Sequence, residues 1–286
     1  MECRKQIAKH WRTRLIEEVR NDKNGIMVTL TFSNESIMKL SRDKRVQELK
    51  GYDKDNKIGK LATRLFLENW RAKYGRSLKH WLVSELGSGN TEHLHLHGII
   101  WTNENFEKIR EKWKYGYVWK GDYVNESTAS YITKYLFKKD KIHENYKSII
   151  LTSPGIGGSY IKRKDAELNK YKPGETIETY RTRTGHKMSI PIYYRNKIYS
   201  EEEREKLWLE KLDKNERWVN GIKVDISKND NEYYELLKEA RTKSKKLGYG
   251  DDEKDWDKIR YENQRRELKI KERAVKGYAK IKKEGI

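Results

Sequence analysis

The segment His93-Leu94-His95-Leu96-His97 sets three imidazoles at alternate positions. In an extended strand alternate side chains share a face, so the imidazoles line one side and the leucines the other. Two imidazoles separated by one residue can chelate a single divalent ion. Glu85 falls near the end of the preceding apolar run, where a hairpin would fold its carboxylate back beside them. Two His and one carboxylate leave coordination positions open, as catalysis at a metal requires. The plain alternative is a surface strand whose histidines face water.

A second group is Tyr131-Ile132-Thr133-Lys134-Tyr135. On a helix, positions i and i+4 lie on one face, so both phenols point the same way one turn apart. A tyrosine that attacks phosphorus holds the product as a phosphotyrosine ester and so keeps the phosphodiester available for rejoining. A cation such as Lys134 beside it would help position the phosphate. Here the plain alternative is an aromatic stripe packed in a core.

Both groups need elements to hold them. Residues 3–20 read as a helix with Ile7, Trp11, Leu15 and Val19 on its apolar stripe. Asn24-Gly25 makes a turn before a β-rich strand at 26–32, and residues 34–59 are polar with no clear period. A helix is expected at 61–74, strands at 81–86 and 93–101, and a turn from Gly87 to Asn90. That order predicts an antiparallel sheet with helices packed on one face. Further on, 105–114 reads as helix and 115–123 as a short strand. Ser127 or Thr128 is placed to cap a helix over 129–138. Residues 153–158 form an irregular loop, and 171–191 read as strand or loop. From Glu201 the chain becomes charge-alternating and helical, broken at Gly248-Tyr249-Gly250.

The bulk properties agree with a polyanion partner. Of the net charge of +20, residues 1–200 carry +17 and residues 201–286 carry +3. Such a basic surface favours nucleic acid. No stretch approaches the roughly 20 apolar residues of a membrane span, so no membrane role is expected. The first twenty residues lack the apolar centre of a secretory signal. With Cys3 as the single cysteine, there is no disulfide framework and no cysteine zinc site, which fits a reducing cytoplasm. No G-x-x-x-x-G-K-[ST] occurs, so an ATPase or helicase engine is not expected.

Taken in order, the motifs resemble the HUH endonucleases, in particular the rolling-circle replication initiators. Val28-Thr29-Leu30-Thr31-Phe32 matches the first motif of that family, and His95-Leu96-His97 matches its His-hydrophobic-His signature. Tyr131 to Tyr135 matches the helix bearing two tyrosines and an intervening lysine. Ser84-Glu85-Leu86-Gly87 resembles the stretch that carries the third metal ligand, which points to Glu85. SPGIGGSY at 153–160 and IPIYYRNKI at 190–198 are similar to segments of initiators from small single-stranded DNA phages, the gokushovirus type of microvirus. The likeness spans roughly residues 20–198. Leu94 stands where the family commonly has Pro, and His93 is an addition to its pattern.

The resemblance implies an α+β fold: a central antiparallel sheet with flanking helices over residues 1–200, followed by a charged, mainly helical appendage at 201–286. It implies that His95, His97 and Glu85 hold Mg²⁺ or Mn²⁺ and that Tyr131 or Tyr135 attacks the scissile phosphate. The expected partners are single-stranded origin DNA, a host helicase and a host polymerase in the bacterial cytoplasm, with unpaired bases stacking on exposed Trp or Tyr. A plasmid relaxase or transposase would share this chemistry. A nucleic-acid-binding module that does not cleave would share only the charge.

Overall fold

The computed structural model describes residues 2–87, 93–137, 146–220 and 222–246. The chain divides into two compact units, one of residues 2–166 and 179–194, the other containing 167–178 and 195–246.

The first unit is built on five antiparallel strands. They are β1 (Gly25–Thr31), β2 (Lys79–Leu86), β3 (Leu94–Trp101), β4 (Val118–Lys120) and β5 (Ile150–Thr152), in the spatial order β4-β1-β3-β2-β5. The helices are α1 (Glu2–Asn21), α2 (Asn34–Ser41), α3 (Gly51–Tyr74), α4 (Phe106–Lys112) and α5 (Glu126–Thr133). The expected α+β class with a central antiparallel sheet is therefore the observed one.

Helices cover both faces of the sheet, not the single face that the element order suggests. Alternate strand residues feed two separate cores. Val28, Leu30, Leu82, Leu96 and Ile100 pack with Leu61, Phe66 and Trp70 of α3. Trp81, Val83, Ile99 and Trp101 point the other way and pack with Leu15, Ile16 and Val19 of α1 and with Ala129 and Ile132 of α5. The cause lies in β2 and β3, which are apolar at both parities over most of their length. Leaving either face wet would forfeit about 1.5–3 kcal/mol for each large side chain now buried.

Several boundaries differ from the sequence reading. Ile7 is exposed; the buried stripe of α1 is displaced to Ala8, Leu15, Ile16 and Val19. Helix α3 begins ten residues before the expected start because its first turns are anchored by hydrogen bonds instead of apolar contacts. Asn56 is buried, donates from Nδ2 to the Lys147 carbonyl at 3.0 Å, and accepts from Tyr146 Oη at 2.9 Å. The polar stretch 34–59 thus holds α2 and the start of α3. The strand expected at 115–123 shortens to β4, and β5 has no strand signal of its own in the sequence. Helix α5 starts earlier than expected and is capped by Asn125, not by Ser127 or Thr128. Asn125 Oδ1 accepts from Thr128 N at 3.0 Å while Thr128 Oγ1 accepts from Asn125 N at 3.1 Å, a reciprocal capping box.

The unit is completed by a 3₁₀ turn (Gly158–Lys162), the short α6 (Lys164–Glu167) and a hairpin of β6 (Thr179–Arg181) and β7 (Lys187–Ser189). Helix α7 (Ile192–Ile198) follows. The second unit contains α8 (Glu201–Asp213), the hairpin β8 (Glu216–Val219) and β9 (Ile222–Asp225), and α9 (Asn231–Lys246). Ser200 and Glu203 form the capping box of α8. The hairpin interrupts what reads as continuous helix, because Trp218, Val219, Ile222 and Val224 supply β-formers around Asn220, whose φ of 51° suits a tight turn. The break at Gly248 to Gly250, the helical expectation beyond residue 246, the end of the 129–138 helix and most of the Gly87–Asn90 turn lie outside the described residues. Among the described residues no helix is long and apolar enough to cross a membrane.

Candidate active site

Strand β3 is the centre of the sheet, so each of its residues has a neighbour on both sides. His97 pairs with Thr29 on β1 and Val83 on β2; His95 pairs with Thr31 and Glu85. Leu94 and Leu96 point into the α3 core, which leaves His95 and His97, both half-buried, on the face covered by α1 and α5. His93 stands just before the strand and adjoins it through its carbonyl, which accepts from Gly87 N at 2.9 Å. Gly98 follows His97 where a Cβ would sit 1.9 Å from the Trp81 carbonyl oxygen, so only glycine lets β2 and β3 approach this closely beside the histidines.

The polar atoms converge from two strands. His97 Nε2 is 2.9 Å from Glu85 Oε2, yet it is buried with no directed hydrogen bond. On the other side of the ring, His97 Nδ1 lies 3.0 Å from Thr29 Oγ1. The His95 and His97 ring centroids are 6.0 Å apart. Burial lowers the His95 pKa, with His97 and His93 adding to the effect and Glu85 opposing it. The ring is therefore neutral at neutral pH, with a lone pair to offer.

Mg²⁺ with ligand bonds of about 2.0–2.1 Å sets neighbouring octahedral ligands about 2.9 Å apart. The separation of His97 Nε2 and Glu85 Oε2 meets that spacing, and an unbonded ring nitrogen aimed at a carboxylate suits a shared cation. Thr29 would orient His97 from behind, the usual outer support of a ligating imidazole. Among the described residues no three His, Cys, Asp or Glu side chains already surround one ion position. The fit rests on the His97 and Glu85 pair, with His95 beside them across from Glu85.

The two phenols join this group from α5 and the turn that follows it. The helix tightens after Thr133 into a 3₁₀ turn over Lys134–Leu136. Ile132 and Leu136 are buried in the α1 core, which turns Tyr135 onto the histidines. Its ring stacks on His97 with centroids 4.3 Å apart and an interplanar angle of 4°. Tyr131 Oη and Tyr135 Oη share a hydrogen bond of 2.7 Å. Tyr131 is 47% exposed. Burial, the bond to Tyr131 and the Glu85 charge together raise the Tyr135 pKa well above the ordinary phenol value, so this hydroxyl is protonated at neutral pH without a cation beside it. Lys134 is exposed between the two tyrosines.

Helix α1 holds the loops behind this face through two buried carboxylates. Glu17 accepts from Arg163 Nη1 at 2.8 and 3.0 Å, from Arg20 Nη1 at 3.0 Å, and from the hydroxyl of Tyr180. Glu18 accepts from Lys79 Nζ at 2.8 Å and from Gly157 N at 2.6 Å. Arg14 lies between the rings of Trp11 and Tyr193, 4.1 and 3.9 Å from their centroids. Tyr194 Oη donates to the Gly157 carbonyl at 2.8 Å. The segments at 153–160 and 190–194 thus form a packed base for α1.

All six residues singled out in the sequence lie in one region of the sheet face and its helix. Glu85, His97, Tyr135 and Tyr131 form a continuous chain of contacts, and His95 pairs with Glu85; Lys134 is adjacent in the chain. Thr29 joins the site without having been singled out, and its one signal is the alternation of Thr29 and Thr31 with apolar neighbours in β1. No curated protein and no solved structure matches the chain significantly. Residues 25–140, the stretch from β1 past the two tyrosines, match the family of the replication-associated protein ORF2, and this match supports a rolling-circle replication initiator family.

Proposed function

We propose that this protein is a metal-dependent HUH endonuclease that nicks and rejoins single-stranded DNA to start and finish rolling-circle replication, in the manner of the microvirus-type initiators. The observation that carries the reading is the contact chain from Glu85 through His97 to Tyr135 and Tyr131. It puts two phenols against a metal-type donor pair.

In this reading His95, His97 and Glu85 hold Mg²⁺ or Mn²⁺, which when bound supplies Lewis-acid polarisation of the scissile phosphate. A tyrosine oxygen attacks phosphorus, the bond to the 3′ oxygen breaks, and that oxygen leaves with a proton as a free 3′-OH. The 5′ phosphate remains esterified to the tyrosine. The 3′-OH primes a host polymerase while a host helicase separates the strands. The second tyrosine then cuts the regenerated site, and the released 3′-OH attacks the phosphotyrosine to close the circle. Lys134 pairs with the phosphate. The reaction takes place in the host bacterial cytoplasm, where the basic charge of residues 1–200 holds the DNA backbone.

The test is a labelled single strand carrying the origin, incubated with the protein and Mn²⁺ and run on a denaturing gel. A covalent adduct, mapped by peptide sequencing to Tyr131 or Tyr135, is the expected result. Binding without any adduct would favour a module that does not cleave.

A further inference from the structure

The two faces of the sheet are not closed equally. On the α3 side, Val28, Leu30 and Val118 of β1 and β4 are fully buried. On the opposite side, Met27, Thr29 and Thr31 of β1 are only half-buried, and the largest side chain of β4 is uncovered. That side chain is Trp119, 47% exposed. It pairs in register with Thr29, which pairs with His97. Paired residues of antiparallel strands point to the same face. Trp119, Thr29 and His97 therefore form one cross-strand row, with Trp119 two strand spacings, or about 10 Å, from His97 along the sheet.

A singly exposed aromatic on a soluble protein is ordinary. Trp119 differs in what surrounds it. Among the described residues no other ring packs against it. The chain from β4 to α5 carries Tyr123, 79% exposed, and leads to Tyr131, 47% exposed. The open edge of the sheet is thus bordered by indole and phenol rings beside the histidines. Lys120 next to Trp119 is exposed as well, and the surrounding 200 residues carry a net +17. A flat ring beside basic groups is the combination that holds unpaired nucleotides, since every base has a face to stack and every nucleotide a phosphate to neutralise.

We propose that Trp119 is a stacking platform for an unpaired base of single-stranded DNA lying next to the scissile phosphate. This rests on the nuclease reading for the position of that phosphate, but the stacking itself needs neither metal nor cleavage. Through the row Trp119–Thr29–His97, the platform fixes how far along the strand the reacting phosphate falls from the held base.

The test uses the full chain without metal and two labelled probes read by fluorescence anisotropy. One is a thymidylate 20-mer; the other is the same strand with abasic sugars in place of its central bases. The Trp119→Ala variant is expected to bind the thymidylate strand about fivefold to a hundredfold more weakly, while losing little on the abasic strand. Trp119→Phe keeps a ring and is expected to keep most of the affinity. The slope of log K against log salt should be unchanged in both variants, because no phosphate contact is removed. Equal binding of the thymidylate strand by wild type and Trp119→Ala overturns the proposal, as does an equal loss on both probes. Trp119→Phe guards against a folding defect, since its exposed edge position tolerates the change. A wild-type protein that forms no adduct in Mn²⁺ but shows this base-dependent loss would refute the nuclease reading alone.

Discussion

At the residue scale, His97 is the most constrained group of the site. It has Glu85 on Nε2, Thr29 on Nδ1 and the Tyr135 ring against its face. His97→Ala is expected to abolish adduct formation while leaving DNA affinity nearly intact, because backbone binding rests on basic groups elsewhere. His93→Ala should be milder, since His93 precedes the strand. A subtler change, Thr29→Val, removes the hydroxyl behind the ring at almost constant volume. It is expected to weaken Mn²⁺ affinity about 10- to 100-fold, measured by titrating adduct yield against the metal; an unchanged titration would deny Thr29 its supporting part. The tyrosines allow a sharper separation. Each Tyr→Phe change keeps the ring, so the stack of residue 135 on His97 survives. Either single variant should cleave once and fail to close a circle, and the double variant should form no adduct. If Tyr131→Phe closes circles as wild type does, the enzyme uses one nucleophile, and Tyr131 serves to hold the hydroxyl of Tyr135.

At the element scale, α1 clamps the loop at 153–158 and so braces one side of the sheet. Gly157 shows how tight the clamp is. Its φ is +72°, and an added Cβ would lie 2.4 Å from the Arg14 carbonyl oxygen. Gly157→Ala must therefore strain both the loop backbone and the helix. A cost of about 1–3 kcal/mol follows from the backbone conformation alone, and the clash adds to it. Thermal unfolding should drop by roughly 2–4 °C per kcal/mol for a domain of this size. A variant that melts with wild type would show that the loop is not docked on α1 in solution. The same scale explains why the tyrosine helix tightens after Thr133. Buried Ile132 and Leu136 have to meet the α1 core while Tyr135 reaches His97, and the 3₁₀ turn satisfies both.

At the scale of the whole molecule, charge dominates. With +17 on residues 1–200, affinity for single-stranded DNA should fall steeply with salt, each phosphate contact contributing about 0.7 to the log–log slope. A flat salt response would mean that the basic groups do not face the strand. The sequence holds no phosphate-binding loop for ATP, so strand separation has to come from a host helicase. The purified chain is expected to nick origin DNA without hydrolysing ATP, as read by phosphate release in the presence of DNA. DNA-stimulated turnover would contradict this.

The sequence by itself determined what depends on neighbours within one element. The alternation in 93–97 is enough to put His95 and His97 on one face and Leu94 and Leu96 on the other, because a strand has a period of two. The i, i+4 spacing likewise determined that Tyr131 and Tyr135 share a side of their helical turn. The antiparallel sheet was legible from short apolar runs in the right order. Tertiary structure decided whatever depends on partners far apart in the chain. Pairing of β2 with β3 set Glu85 opposite His95, and the packing of α5 brought Tyr135 onto His97. Asn56 anchors the start of α3 through Lys147 and Tyr146, about 90 residues away, so no local apolar period announces it. The second helical layer is hidden from the sequence for a related reason. Strands apolar at both parities reveal that two faces are buried, but only the assembled chain shows which helices cover each.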